Sequence, residues 1–512
     1  MELELKTTRL DGFDIGAEQV FTQEETAETI VPDYCPDIAR IIDTEGKVFI
    51  HSRELRDGRG EVSGTIRVTV LYTPDGEGGI RTLEFAIPFS SETDGRAMND
   101  SVFLCATAEI ECLETSILNP RKIFTRCKLI LRLIGYCKQP LNLSANAEAS
   151  PELCLEKKLE SQHISMLTQL AEKDFTFSDE MDLSPGKEGA AEILTNRASA
   201  LITESKIVGN KLILKGLFHI DLLYRSVSGR CCSTGGELPF SQIMEVGGVN
   251  ENALVTAQLQ FTGTDIQVSG SGDQEGRRIA VTLYLHAVAL LRQEQTVALL
   301  KDLYSTSYDL SYEAEPIILT ERADILTRRQ TVREILEVGV VAESLLSLNT
   351  FCGNVNVGKE GDHTVLRTGV TIRALYLDEG GVPLMVERRV DAVCHLELPE
   401  DCHISARACC PEEAQGSLGD RGIEVRFPVE FQIQLVVRRK NICISSVKLL
   451  SDTPKDLSAA PSLVLRGLGR DENLWTLAKQ HNTTAADILA ANGLDGEEDI
   501  RRDRLLLIPK KR

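Results

Sequence analysis

Three apolar runs that close on Leu-Tyr recur along this 512-residue chain: "VSGTIRVTVLYTPDG", "LKGLFHIDLLYRSVSG" and "LRTGVTIRALYLDEGG". Their tyrosines are Tyr72, Tyr224 and Tyr376, and each gap is 152 residues. Equal spacing of this kind marks internal duplication, so the chain should fold as tandem copies of one unit. Gly64 and Gly216 each lie eight residues before their tyrosine, and Gly369 lies seven before. The first two copies run on to "IPFS" (Pro88, Phe89) and "LPFS" (Pro239, Phe240). The third has "RRVDAV" in that region and has diverged.

Within a unit the pattern is that of strands. In "TIRVTVLY" Ile66, Val68 and Val70 fall on one face, Arg67 and Thr69 on the other. Runs such as "KIFTRCKLILRLIGYC", "RRIAVTLYLHAVALL" and "GIEVRFPVEFQIQLVV" continue the alternation, and "TPDGEGG", "SGSGDQEG" and "LDEGG" read as hairpin connections. Helical spacing is confined to "CPDIARIID", where Pro36 can open a short helix, "EILTNRASALI" and "TVREILEVGVVAESLL". The expectation is a mainly β chain: three units over residues 1–150, 151–310 and 311–450, each with one or two short helices. Residues 451–462 read as a linker by composition.

Over residues 463–512 the period changes. In "DENLWTLAKQH" Leu474, Leu477 and Ala478 form one helical face, with Trp475, the single tryptophan of the chain, beside it and Asp471 as a reasonable N-cap. In "NTTAADILAANG" Thr484 caps a second helix, Asp487 answers it three residues on, and Gly493 suits the left-handed residue that ends it. With "SLVLRGL" before and "RLLLIPK" after, this predicts strand, helix, helix, strand. Trp475 has two readings here: core between the helices, or surface anchor for a partner.

Charge separates module from body. Pro461 to Arg512 carries nine Lys/Arg and eight Asp/Glu, so of the net −21 the preceding residues hold −22. So acidic a body repels phosphate backbones, which argues against nucleic acid as a partner. The opening "MELELKTTRLDGFDIGAEQV" lacks a basic region followed by an apolar one, and no run of 18 apolar residues occurs. Fourteen cysteines without a regular framework then read as reduced thiols, and the expected location is cytoplasmic.

The terminal order Leu468, Leu474-Trp475, Leu477-Ala478, Thr483, Ile488-Leu489, Asn492, Leu494 and Leu507-Ile508-Pro509 resembles a LysM domain. That family usually begins Gly-Asp-Thr-Leu-Trp and holds N-acetylglucosamine polymers in a shallow groove. Here Asp471, Glu472 and Asn473 fill the first three places. Asp in place of Gly removes a permissive backbone position and adds a carboxylate, which counts against glycan. The stretch "VPDYCPDIARIIDTEGKVFIHSRELRDGRGEVSGTIRVTVLY" followed by "IPFS" resembles the SPOCS domain of spore-forming Firmicutes. SPOCS repeats followed by one LysM domain is the layout of the SpoIVA-interacting family of clostridial sporulation.

That resemblance implies a non-enzymatic scaffold in the mother cell at the forespore surface. Its LysM domain would dock on SpoIVA, a coat-basement ATPase, and promote coat encasement. The implied partner-binding residues are Leu468, Asp471, Glu472, Asn473, Leu474, Trp475, Ile488, Asn492 and Leu494. Other coat proteins or a second copy could pair along exposed sheet edges. The alternative is a cell-wall protein whose LysM domain holds peptidoglycan.

Other motifs carry less. "VCHLELPEDCHISARACC" gathers Cys394, His395, Cys402, His403, Cys409 and Cys410, yet adjacent Cys-His on a strand point to opposite faces and no C-x2-C occurs. No metal is expected. "SGSGDQEGRR" fits neither the P-loop nor the dinucleotide fingerprint, and no nucleophile motif stands in a recognisable context. No catalytic residue and no cofactor is expected.

Overall fold

The alternating runs fold as strands. The computed structural model describes residues 2–76, 79–93, 98–269, 276–361, 363–398, 402–419, 421–451, 453–456, 458, 461–467, 473–500 and 505–510. It is 76% strand and 4% helix, a mainly β chain.

The first unit comprises β1 (Leu3–Leu10), β2 (Phe13–Ile30), β3 (Ile38–Arg56), β4 (Arg59–Pro74), β5 (Arg81–Glu92), β6 (Phe103–Asn119), β7 (Lys122–Lys138) and β8 (Leu141–Ala149). The second comprises β9 (Leu155–Asp182), β10 (Ala190–Val208), β11 (Lys211–Ser226), β12 (Cys231–Glu245), β13 (Leu254–Ser269) and β14 (Arg278–Ser305). The third comprises β15 (Leu310–Leu336), β16 (Ala342–Cys352), β17 (Asn356–Glu360), β18 (His363–Asp378), β19 (Pro383–Leu396), β20 (Cys402–Cys409), β21 (Gln415–Gly419) and β22 (Gly422–Leu449).

One topology recurs. A three-strand meander, β3-β4-β5 or β10-β11-β12, faces a second sheet, β6-β7-β2 or β13-β14-β9. In the third unit β16 and β17 share one edge of β18 with β19 on the other, and β20 and β21 share one edge of β22 with β15 on the other. The diverged third copy therefore keeps the architecture of the first two. Ile66, Val68 and Val70 of β4 meet Leu129, Leu131 and Leu133 of β7 in the first core. Val370, Ile372 and Ala374 of β18 meet Phe427, Val429 and Phe431 of β22 in the third. Each Val, Leu, Ile or Phe among them contributes roughly 1.5–3 kcal/mol by leaving water.

The register repeats as closely as the sequence. Bulges interrupt β3 on β4 at Ile38/Arg40 and Ile41/Asp43, and β10 on β11 at Ala190/Glu192 and Ile193/Thr195. They interrupt β16 on β18 at Ala342/Ser344 and Leu345/Ser347, at the same 152-residue interval. These bulges correct one expectation. The three stretches with helical spacing contain no helix; they lie in these strands or in the strand and turn before them. A bulge sets two residues against one, so core-facing side chains recur after three residues rather than two and imitate a helical period.

The Pro-Phe pairs also acquire a reason. Gly64 pairs across the sheet with Phe89, and Gly216 with Phe240, whose ring lies over the glycine. Register makes Thr368, not Gly369, the third counterpart; it pairs with Ala392 and its hydroxyl donates to the Gly353 carbonyl at 2.8 Å. Tyr72 and Tyr224 are buried and donate to the carbonyls of Pro36 and Glu188, at 3.2 and 3.0 Å and again 152 residues apart.

The three units meet around a pseudo-threefold axis. Leu71, Leu223 and Leu375 form one cluster with Leu194, Leu346 and Ile42, two trios each spaced by 152 residues. The long closing strands meet further along: Leu143, Leu299 and Cys443 hold the same place counted from Lys122, Arg278 and Gly422, and they share a buried cluster. Arg373 of the third unit pairs with Asp43 of the first, and Arg67 donates to the Thr264 carbonyl of the second at 2.9 Å. Most of "SGSGDQEGRR" lies outside the described residues; the β13 and β14 strands that flank it pair antiparallel, Ser269 with Arg278.

Candidate functional site: the C-terminal module and its seat

The terminal module is β23 (Leu463–Gly467), α1 (Leu474–Gln480), α2 (Ala485–Asn492) and β24 (Leu505–Pro509), with β23 and β24 antiparallel. Thr484 caps α2 by accepting from the Asp487 amide at 3.0 Å, and Gly493 ends it at φ 63°. The N-cap of α1 is Asn473, whose Oδ1 accepts from the Thr476 amide at 2.8 Å; Asp471 lies outside the described residues. Glu497 reaches back and accepts from the Leu474 amide at 3.0 Å.

The residues named from sequence fall into distinct roles. Leu474 and Ile488 are buried in the module's core with Leu477, Ala478, Leu506 and Ile508, and Leu494 packs against it. Asn492 fastens α2 to β24: its amide donates to the Ile488 and Leu507 carbonyls and its Oδ1 accepts from the Leu507 amide, at 2.7, 2.7 and 2.8 Å. Leu468, Asp471 and Glu472 lie outside the described residues.

Trp475 is neither sealed between the helices nor free. It is half-buried at a seam with the body, and its Nε1 donates to Asp302 of β14 at 2.8 Å. Lys479, one turn on along α1, donates to the same carboxylate at 2.6 Å, and the Tyr312 hydroxyl of β15 donates at 2.8 Å. Tyr304 of β14 meets the indole edge-on, ring centroids 4.9 Å apart, and donates its hydroxyl to the Thr483 carbonyl at 2.8 Å. Burial pushes the Asp302 carboxyl up, but the bonds from Lys479, Trp475 and Tyr312 outweigh it and hold it below its ordinary value. Lys455, within the expected linker, donates to the Ser305 carbonyl and to Asn482 at 2.9 and 2.7 Å.

The seat belongs to one corner of the pseudo-threefold body. At the place of Asp302 the other closing strands carry Asn146 and Ser446; at that of Tyr304 they carry Glu148 and Lys448. These breaks in the repeat are the only sequence signal for the seat, and reading each unit by itself passes over them.

The module's outer sheet face is different. Leu463, Leu465 and Leu505 are 53%, 62% and 61% exposed, and Leu507 stands opposite Leu465 on that face. Among the described residues no group of three or more His, Cys, Asp and Glu is placed to hold a metal. No helix among them is long and apolar enough to cross a membrane.

A βααβ module seated on a threefold-repeated β body makes this a multidomain, mainly β protein. Two of the three units and the terminal module match known families. Residues 37–118 and 190–269 match the family described as SipL, SPOCS domain, and residues 469–509 match the LysM domain. The chain thus combines SPOCS domains with a C-terminal LysM domain. No curated protein matches it. Both families are non-catalytic domain types, and together they point to a sporulation protein bearing a cell-wall-binding type of domain. The matched SPOCS segments contain β3 to β6 and β10 to β13, the same four strands of two successive units.

Proposed function

We propose that this chain is a non-enzymatic morphogenetic scaffold of the mother cell, docking through its LysM domain on a SpoIVA-type ATPase to promote coat encasement of the forespore. The observation that carries this reading is the leucine face of Leu463, Leu465 and Leu505. Exposed aliphatic surface of this kind is covered by protein, whereas sugar rings are held by aromatic stacking and convergent polar groups. The one tryptophan is turned instead to Asp302. The repeated body then serves as a rigid platform, with further sheet edges for other coat proteins or a second copy.

The test is a pull-down of purified SpoIVA-type ATPase by the full chain, with peptidoglycan co-sedimentation alongside. Leu465→Asp changes an exposed side chain and should leave the fold intact by circular dichroism. Binding to the ATPase that drops at least tenfold in this variant supports the reading. Co-sedimentation with peptidoglycan and no binding to the ATPase overturns it in favour of a wall-binding protein.

A further inference from the structure

Cys352 ends β16, on the meander sheet of the third unit, and Cys410 follows β20, on the facing sheet. Their sulfurs lie 3.5 Å apart, bridging two sheets across 58 residues of chain. Both are half-buried at the wall of an open cleft that the second unit completes with Asn196 and Arg197. Arg197 stacks its guanidinium over the Phe351 ring at 3.9 Å, which holds a fixed positive charge beside the thiols. The pair is not inherited from the repeat, because Val48 and Ala200 occupy the place of Cys352 in the other units.

We propose that Cys352 and Cys410 form a thiol–disulfide exchange site that takes a small disulfide of the glutathione type and closes into an intramolecular bond across the third unit. Cys410 is the attacking sulfur. Its thiol is held below the ordinary range by the hydrogen bond from Cys352, with Thr350 and Arg197 adding to this against burial. The bond to Cys410 and burial push the Cys352 thiol up, so it is the resolving partner. In the first step the Cys410 thiolate displaces one thiolate from the small disulfide and forms a mixed disulfide. In the second, Cys352 displaces the remaining small thiol, gives up its proton to the released thiolate, and bonds to Cys410. One small disulfide is reduced to two thiols, and two protein thiols are oxidised to one disulfide. From 3.5 Å, closure to a bond of about 2.05 Å needs a sulfur movement of roughly 1.5 Å, within side-chain reach.

The experiment treats the full chain with oxidised glutathione, alkylates free thiols, digests without reductant and maps every cysteine by mass spectrometry. The expected result is a peptide pair joined through Cys352 and Cys410. Cys352→Ser should instead retain a glutathione adduct on Cys410, and Cys410→Ser should leave Cys352 free to alkylate. The proposal is overturned if Cys352 and Cys410 alkylate in treated wild-type protein as fully as in untreated protein. It is equally overturned if Cys352 is found joined to Cys409, whose thiol burial pushes up to about 11. The wild-type map reads the outcome by itself, whatever the serine variants do to folding.

Discussion

Trp475 donates its indole N–H to Asp302 at 2.8 Å, tying the C-terminal module to the closing strand of the second unit across 173 residues of chain. Asp302 is the hub of the contact, since Lys479 and Tyr312 donate to its other oxygen at 2.6 and 2.8 Å. One carboxylate thus holds a LysM helix, a strand of the second unit and a strand of the third in register. In this seating the leucine face of β23 and β24 lies exposed.

Replacing Asp302 by Ala should loosen the module without unfolding the body. The loss is roughly 1–2 kcal/mol, at or below the low end for hydrogen bonds to a charged group because Lys479 is a third exposed. Trp475 is the only tryptophan, so its fluorescence reports this seam alone. A red shift of emission is expected, together with faster proteolysis near Lys455. Unchanged emission would show that the contacts of Tyr304 and Lys455 suffice to hold the module.

The same hub has a pH signature. Asp302 is held below its ordinary value in the folded state, so its contribution is full above the unfolded value of about 4 and is lost as pH falls through the lowered folded value. Emission of Trp475 should therefore stay constant from neutral pH down to about 4 and move only below it. In Asp302→Asn that step should be absent. A wild-type transition centred near neutral pH would assign the seam to another group.

How much of this could be read from the chain depends on range. Thr484, Asp487 and Gly493 announce α2 because capping is local, and the 152-residue interval announces the units because duplication preserves spacing. Helices over "CPDIARIID" and its counterparts were false, since paired bulges give a strand the apolar period of a helix. The N-cap fell on Asn473 because Asp and Asn two residues apart are equally good caps and only the backbone chooses. The Asp302 seat was illegible for another reason: it joins residues 173 apart, and nothing local to Trp475 names its partner.

Gly64 and Gly216 should tolerate no side chain. A Cβ at either would collide with the carbonyl oxygen of Phe49 or Leu201 and with the ring of Phe89 or Phe240. Gly64→Ala and Gly216→Ala should each cost about 2–4 kcal/mol by overpacking, measured by urea unfolding. The third unit solves the same crossing differently, with Thr368 donating to Gly353, so Thr368→Val should cost about 1–2 kcal/mol through the carbonyl left unpaired. Equal tolerance of Ala at Gly64 and at an exposed turn glycine such as Gly186, whose Cβ would meet nothing, would contradict this packing.

The Asp43–Arg373 pair between the first and third units should show the opposite pH dependence from Asp302. Burial raises the Asp43 carboxyl from 3.8 to about 6, with Arg373 opposing it only in part. The folded value then lies above the unfolded one, so between the two the folded state binds more protons and stability rises as pH falls through about 6. Comparison with Asp43→Asn cancels the titrating groups that do not sense Asp43. Wild type should gain roughly 1–2 kcal/mol relative to Asp43→Asn between pH 7 and pH 5, read from urea unfolding midpoints. A relative loss over that interval would mean that Arg373 dominates burial and holds the carboxylate charged throughout. Arg373→Met separates the two terms: without the guanidinium the Asp43 carboxyl should rise further, and the pH at which stability turns should move upward with it.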